Sequence, residues 1–189
     1  LVLSIFASYK NTIDADKNGL LDQLIPRWAE LKEMMQWGPH VDTVAVHTLG
    51  NLKALEEEGL TARVKHAEWL RMMMFFHDFG KQHFHASRTH LPDTHELRGA
   101  EMVLNILLGF GFGRKEAEKV AWWVKHHGVT WHLAVEGQLN SIIQDETIYD
   151  FLNKLTEEDV EIFHAFYLAE LVQIRESKLE EMPKRNIDR

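Results

Sequence analysis

Residues 66–81 read HAEWLRMMMFFHDFGK, and this stretch decides the fold. Its apolar residues occupy every face of a helix rather than a single stripe: Ala67, Trp69, Leu70, Met72, Met73, Met74, Phe75 and Phe76. A helix that is apolar all round lies in the interior of a domain. The sequence therefore predicts a buried central helix over residues 65–78.

Apolar residues recur at helical spacing along most of the remaining chain, and strand-like alternation is scarce. Helices are predicted at 20–36, 42–57, 65–78, 95–109, 114–127, 139–154 and 157–181. The expected fold is a single compact all-α domain of about six to seven helices. We divide the chain into an N-terminal helical extension (1–38), the main helical domain (39–182) and a charged tail (183–189).

Composition limits the classes of function. The 189 residues include 21 Lys and Arg against 29 Asp and Glu, and this net charge of −8 argues against a general nucleic-acid binder. No cysteine is present, which excludes disulfides, thiolate metal sites and cysteine nucleophiles. The apolar start, residues 1–7, is too short to cross a membrane and lacks the basic flank of a signal peptide, so a cytoplasmic protein is expected. The first residue is not Met, so the chain is compatible with a domain of a longer protein.

Asp78 lies where the central helix is predicted to end. A helix C-terminus carries partial negative charge, which disfavours an anion there by ~0.3–1 kcal/mol. A buried carboxylate at this place needs a cation or several hydrogen-bond donors. The partner could be a lysine or arginine, it could be a metal ion, or Asp78 could face solvent at the helix end.

Other helices also direct a polar side chain inwards. Glu170 lies on the apolar stripe of the last helix, which is formed by Val160, Phe163, Phe166, Tyr167 and Ile174. His127 continues the inward stripe of helix 114–127, and His47 lies at the edge of the stripe of helix 42–57. Each has an ordinary explanation, namely a buried salt bridge for Glu170, a favourable helix C-terminus for His127 and a satisfied core position for His47. One shared divalent cation, such as Mn, Fe, Co, Ni or Zn, would explain all four positions together.

Five ordered blocks of this sequence resemble the HD superfamily of metal-dependent phosphohydrolases over roughly residues 39–178. They are Val46-His47-Thr48, Phe76-His77-Asp78-Phe79-Gly80-Lys81, His95-Glu96-Leu97-Arg98-Gly99-Ala100, Trp123-Val124-Lys125-His126-His127 and Leu168-Ala169-Glu170. In motif detail they are most similar to the HD domain of bacterial CCA-adding tRNA nucleotidyltransferases. No segment resembles a nucleotidyltransferase catalytic domain, so the CCA-adding activity itself is not implied.

The resemblance implies an HD-type helical fold and a set of site residues. His47, His77, Asp78 and a carboxylate on the last helix would bind a metal ion. His95 and His127 would hold a second metal or the substrate phosphate. Asp78 and Lys81 are the implied catalytic residues, and Lys81, Arg88 and Arg98 would meet phosphate oxygens.

The last of these blocks departs from the family, which ordinarily has Ala-Asp where this chain has Ala169-Glu170. Glutamate is one methylene longer than aspartate and can still coordinate a metal. Asp145, Asp150 and Asp159 are alternative carboxylates, although none lies on so clear an apolar stripe.

The resemblance implies a phosphohydrolase, a phosphomonoesterase or phosphodiesterase that uses metal-activated water on a nucleotide-like small-molecule phosphate. Its cofactor would be one or two divalent cations, Mn, Mg, Co, Ni, Fe or Zn. The alternative is a degenerate HD module that binds metal, nucleotide or a partner without turnover. Neither a membrane nor nucleic acid is expected as a partner, with an RNA end as the one exception.

Two further patterns have simpler explanations. Residues 14–22 follow the first positions of an EF-hand calcium loop, but Ile25 stands where the bidentate glutamate belongs, which favours a polar turn before a helix. Six tryptophans could stack on bases, but without a basic groove they are expected to be core or interface residues: Trp28, Trp37, Trp69, Trp122, Trp123 and Trp131.

Overall fold

The structure is a computed structural model that describes residues 2–36, 42–82, 95–129 and 148–181. Over these residues the fold is all-α, as predicted, with ten α-helices, a 3₁₀ turn at Leu60–Arg63 and no strand. The helices are α1 (Val2–Ile5), α2 (Tyr9–Lys17), α3 (Leu20–Leu24), α4 (Trp28–Glu33), α5 (Val44–Glu57), α6 (Ala67–Phe76), α7 (His95–Gly109), α8 (Arg114–His126), α9 (Ile148–Lys154) and α10 (Glu157–Glu181). Within this part of the chain, no helix combines the length and hydropathy that crossing a membrane requires.

Helix α6 is the centre of the domain, as its all-round apolar pattern predicts. Every residue from Leu70 to Phe76 is buried. Two aromatic side chains of the N-terminal extension pack directly on it. Trp28 stacks on Phe75 with ring centroids 4.7 Å apart, and Phe6 lies 5.1 Å from the same ring. The extension therefore shares the hydrophobic core of the main domain.

The predicted helix at 20–36 is instead two helices, α3 and α4. Pro26 follows Ile25, whose backbone is extended at φ −126° and ψ 89°. A proline disfavours the helical conformation of the residue before it and lacks the amide that a helix interior requires. Together with α1 and α2, which the sequence did not predict individually, this break raises the helix count above six to seven.

The other predicted helices agree with the structure to within a few residues. The predicted helix at 139–154 is described only from residue 148, as α9. The boundary at residue 38 and the tail at 183–189 lie outside the described residues. Thr156 caps the start of helix α10, because Thr156 and Asp159 each accept a hydrogen bond from the other's backbone amide. Val160, however, is 53% exposed, and the neighbouring Asp159 lies on the buried face instead.

The turn after α6 approaches α7 very closely. A Cβ atom on Gly80 would lie 1.7 Å from the carbonyl oxygen of His95 and 2.6 Å from the amide nitrogen of Gly99. Only glycine fits at this position. Arg98 completes the contact, because its Nε donates to the carbonyl oxygen of Gly80 at 3.1 Å. The residues that follow α6 are thereby fixed against the start of α7.

Candidate metal centre

Asp78 lies at the meeting point of the predicted site residues. It follows the end of α6, and its side chain is 2% exposed. Its Oδ2 atom is 3.2 Å from His77 Nε2 and 3.8 Å from His47 Nε2. Its Oδ1 atom is 3.4 Å from His95 Nε2 and 3.9 Å from His127 Nε2. Each oxygen of this carboxylate therefore faces a different pair of histidines.

The donor atoms form two sets that share Asp78. His47, His77 and Asp78 make one set, and Asp78, His95 and His127 make the other, with the donors of each set within 4.8 Å of one another. Sets of this size are suited to a metal ion, because imidazole and carboxylate are common ligands of divalent metals.

Glu170 adds a second carboxylate to the first set. It comes from α10, and its Oε1 atom is 3.1 Å from His47 Nε2 and 3.3 Å from His77 Nε2. Its side chain is 15% exposed. The inward position predicted from the apolar stripe is therefore the position that Glu170 occupies.

The backbone orients two of the histidines. His77 Nδ1 is 2.6 Å from the carbonyl oxygen of Met74, and His127 Nδ1 is 2.7 Å from that of Val124. Because a carbonyl oxygen only accepts hydrogen bonds, both Nδ1 atoms donate. Each Nε2 atom is then the one that can bind a cation.

His47 is oriented by a side chain instead. Its Nδ1 atom is 2.7 Å from Gln173 Oε1, and Gln173 Nε2 donates to Asp42 Oδ2 at 3.2 Å. Gly50 makes room for this glutamine, since a Cβ atom there would lie 2.9 Å from Gln173 Cγ. Glycine inside a helix lowers stability by roughly 1 kcal/mol relative to alanine. At Gly50 a larger residue would collide with the Gln173 side chain, which explains the glycine.

Lys81 is the cationic partner of Asp78 that the sequence left open. Its Nζ donates to Asp78 Oδ2 at 2.6 Å and also to Gln36 Oε1. Arg27 donates to the backbone carbonyl of Lys81. Gln36 and Arg27 belong to the N-terminal extension, which therefore reaches the edge of the site.

The opposite charges in the site shift the carboxyl pKa values. Burial acts to raise the pKa of Asp78, but His77 and Lys81 overcome this effect and hold it well below its usual 3.8. Burial likewise opposes ionisation of Glu170, yet His47 and His77 lower its pKa to about 2. Both carboxylates are therefore anionic at neutral pH and can bind a cation.

The histidines respond differently to their surroundings. Burial lowers the pKa of His127, and the neighbouring His95 and His77 lower it further, to about 4. For His47, burial lowers the pKa but Glu170 and Asp78 outweigh it, so the net shift is upward. His127 is therefore neutral at pH 7, whereas the two carboxylates beside His47 favour positive charge next to them.

The surroundings of His77 Nε2 show whether this site fits a metal ion. His77 Nε2 is buried and has no hydrogen-bond partner in the described part of the chain, although two carboxylates lie beside it. A buried polar atom without a partner is costly unless another group satisfies it. A divalent cation between this nitrogen and the two carboxylates would do so, and the nitrogen and oxygen donors suit such an ion.

The remaining predicted residues have other surroundings. Arg98 contacts Gly80 as described above, and Arg88 lies outside the described residues, as does Asp145. The side chain of Asp150 is also outside the described part. Asp159 is bound by Lys119 and Trp123 and is not part of this centre.

The calcium-loop pattern does not form such a loop. Asp14 and Asp16 lie within helix α2, and an EF-hand needs them in an open loop. Asp14 pairs with Lys10, whereas Asp16 and Asp22 both pair with Lys32. The alternative of a turn before a helix fits better, since Gly19 has a left-handed φ of 70° and precedes α3.

The tryptophans in the described part belong to the core. Trp28 and Trp123 are fully buried, and Trp69 and Trp122 pack against the core. Trp37 and Trp131 lie outside the described residues.

Sequence reasoning missed the amides around His47. Gln173 lies three residues after Glu170, and Asn51 lies four residues after His47, so each shares a helix face with a predicted ligand. That spacing was a usable indication, but uncharged side chains carry no charge pattern to single them out.

Comparison with known proteins gives consistent relatives. Three of these relatives are bifunctional uridylyltransferase/uridylyl-removing enzymes, so the closer similarity to CCA-adding enzymes that the motifs suggested is not confirmed. The protein from Corynebacterium glutamicum is 26% identical over 76% of this chain and 21% of its own length. The protein from Vibrio cholerae is 25% identical over 81% of this chain and 18% of its own length. The protein from Rhodospirillum rubrum is 27% identical over 84% of this chain and 17% of its own length. The chain thus spans about a fifth of the length of these relatives.

A family model named "HD domain" matches residues 44–182. This range contains both donor sets and Glu170, and it leaves residues 1–43 and 183–189 unmatched. The chain therefore belongs to the HD domain family.

Proposed function

We propose that this chain is a divalent-metal-dependent phosphohydrolase that cleaves a nucleotidyl phosphodiester by attack of water. The observation that carries this proposal is the single carboxylate of Asp78 between two histidine pairs, with Glu170 against the first pair. HD domains bind divalent metals, and imidazole and carboxylate donors grouped in this way suit such an ion.

We assign the first cation to His47, His77, Asp78 and Glu170. The Nε2 atoms of His95 and His127 face the other oxygen of Asp78, where they would hold a second cation or the substrate phosphate. The ion would be Mn, Mg, Co, Ni, Fe or Zn, all of which accept nitrogen and oxygen ligands to different degrees.

When bound, a divalent cation supplies Lewis acidity, which polarises a phosphoryl oxygen and makes water more acidic. The protein's own residues would do the positioning. Lys81 places an ammonium group at the edge of the centre, where it can neutralise charge on phosphoryl oxygens. Where no second cation binds, neutral His127 can accept a hydrogen bond from water through Nε2. Helix α6 with its aromatic neighbours excludes bulk solvent from beneath the site.

The names of the relatives support the phosphodiester substrate. A uridylyl group is attached through its phosphate, so its removal by water breaks a phosphate ester bond. The chain spans only about a fifth of the length of these relatives, so their full activities are not carried over. We propose only that the same class of bond, a nucleotidyl phosphodiester, is hydrolysed here.

The test compares the unaltered chain with Asp78→Ala. The unaltered chain should hydrolyse bis(p-nitrophenyl) phosphate and a 2′,3′-cyclic nucleotide when Mn²⁺ or Ni²⁺ is added. Asp78→Ala should lose at least about 100-fold in rate, since even residues behind the ligands typically contribute 10–100-fold. Elemental analysis should show less bound metal in the variant, and Asp14→Ala, a half-exposed aspartate of α2, serves as the matched control.

Two outcomes would contradict the proposal. Equal metal content in the unaltered chain and Asp78→Ala would remove the metal centre itself. Stoichiometric metal without turnover on these substrates would favour the degenerate binding module, for which Glu170 in place of the family's aspartate is the supporting observation.

A further inference from the structure

Glu170 needs a restraint that an aspartate at its position would need less. Its longer side chain has one more rotatable bond, so more conformational freedom must be lost to hold its carboxylate in one place. Nevertheless Oε1 lies between two imidazole nitrogens, 3.1 Å from His47 Nε2 and 3.3 Å from His77 Nε2. Some neighbouring group has to fix this oxygen.

Asn51 makes the contact that can do so. It lies on α5 one helical turn after His47, and its side chain is fully buried. Its Nδ2 donates to Glu170 Oε1 and lies 3.1 Å from His47 Nε2. One amide group therefore contacts a carboxylate 119 residues away in the sequence and an imidazole four residues away.

The orientation of the Asn51 amide follows from these neighbours. With Nδ2 towards Glu170, the opposite atom, Oδ1, is buried and has no hydrogen-bond partner in the described residues. Turning the amide over would place Oδ1 against an anionic carboxylate, which is repulsive. The unpaired Oδ1 costs about 1–3 kcal/mol, and a leucine of similar size would avoid this cost. A buried polar group retained at such a cost indicates a role at the site.

We propose that Asn51 is a positioning residue that holds Glu170 Oε1 at the metal centre and so lets a glutamate take the place of the family's aspartate. This inference rests on the proposed function in one respect, that the centre binds a divalent cation. The hydrogen bond uses one lone pair of Oε1 and leaves the other for the cation. Asn51 thereby acts through Glu170 rather than on the substrate.

The experiment is a double-mutant cycle read by Mn²⁺ binding in calorimetry. Asn51→Leu should raise the dissociation constant about 10–100-fold, the usual effect of losing a group that orients a ligand. In a Glu170→Ala background, Asn51→Leu should change it by less than about twofold, because the oxygen that Asn51 holds is absent. The thermal midpoints of the same four proteins without metal should be non-additive as well.

Controls separate positioning from general damage. Leu55→Ala removes a fully buried side chain from the same helix without touching the site, so it should lower stability and leave Mn²⁺ affinity unchanged. Asn51→Ala, which also removes the donor, is the second variant should Asn51→Leu not fold, and it should weaken binding in the same way.

The outcomes distinguish this inference from the proposed function. If Asn51→Leu or Asn51→Ala binds Mn²⁺ within twofold of the unaltered chain while Asp78→Ala does not bind, the positioning role is overturned and the metal centre stands. Additive effects of Asn51 and Glu170 variants would also overturn it. If the unaltered chain does not bind Mn²⁺, both proposals fall together.

Discussion

At the scale of single residues, Lys81 combines two interactions with one charge. Its ammonium group lies 2.6 Å from Asp78 Oδ2, while the family resemblance places it near phosphate. An ammonium group has three protons, so it can donate to Asp78 and Gln36 and still meet a phosphate oxygen. Its positive charge, however, also opposes a metal ion at the same carboxylate oxygen.

This opposition gives a prediction with opposite signs for binding and turnover. Lys81→Met should tighten Mn²⁺ binding, by up to about fivefold, because a competing positive charge on a partly exposed side chain is removed. Hydrolysis of bis(p-nitrophenyl) phosphate should fall at least about tenfold, because charge on the phosphoryl oxygens is no longer neutralised.

Titration calorimetry and steady-state rates measure the two effects separately. Lys53→Met, which alters a half-exposed ion pair on α5, is the matched control and should change neither. Weaker Mn²⁺ binding by Lys81→Met would contradict this account of the lysine.

At the scale of elements, the periodicity of apolar residues predicted the long helices and the faces that they turn inwards. The apolar pattern of 65–78 and the apolar stripes of the other helices predicted α5 to α8 and α10 closely. The same stripes placed Glu170 inward, and the structure puts it there. Short helices such as α1 have too few residues to show a period. Val160 was wrongly placed on the inward face of α10, because that face passes through the neighbouring Asp159 instead.

The site required information that periodicity does not contain. His47 and Glu170 are brought together by the packing of α10 against α5, and their spacing in sequence gives no distance. The family resemblance supplied the grouping of the histidines with Asp78. Helical spacing puts Asn51 and Gln173 on the same faces as His47 and Glu170, but their roles, like that of Gln36, depend on contacts that form only after the helices pack.

Asp159 links α8 to the start of α10 through hydrogen bonds and an ion pair. Its Oδ1 accepts from Trp123 Nε1 at 2.7 Å and lies 2.5 Å from Lys119 Nζ, while Oδ2 accepts from Thr156. Burial acts to raise its pKa, but these hydrogen bonds and the lysine charge lower it below the usual 3.8. The carboxylate is therefore more stable in the folded chain than in the unfolded chain.

The Asp159→Asn variant should lower the free energy of unfolding at pH 7 by about 2–3 kcal/mol, because charge-assisted hydrogen bonds in the core are lost. The depressed pKa fixes the sign of the pH dependence. The stabilisation by Asp159 is complete well above pH 3.8 and is lost as the pH falls through the lowered native value.

Urea unfolding of both proteins at a series of pH values measures this effect. The difference between them should be constant from pH 7 to about pH 5 and should shrink below pH 4. A difference that grows on acidification would contradict the assignment. Metal binding by the variant should be unchanged, because Asp159 lies outside the centre.

At the scale of the whole molecule, the centre joins most of the main domain. Its side chains come from α5, the turn after α6, α7, the end of α8 and α10. In the absence of a cation, these segments bring anionic carboxylates and imidazoles into a buried space. The N-terminal extension adds Gln36 and Arg27 next to Lys81, so it supports the site as well as the core.

Because five segments converge on one point, a bound cation should stabilise the entire fold. A ligand at 100 times its dissociation constant contributes about 2.7 kcal/mol if it binds only the folded chain. For a domain of this size each kcal/mol raises the melting temperature by about 2–4 °C, so saturating Mn²⁺ should raise it by roughly 5–10 °C. Differential scanning fluorimetry with Mn²⁺ and then with EDTA measures this shift and its reversal.

Two variants serve as controls for this shift. Asp159→Asn should melt at a lower temperature but show the same shift, whereas Asp78→Ala should melt at one temperature with or without Mn²⁺. An equal shift in Asp78→Ala would mean that the cation binds elsewhere, because among the described residues Asp78 is the one shared by both donor sets.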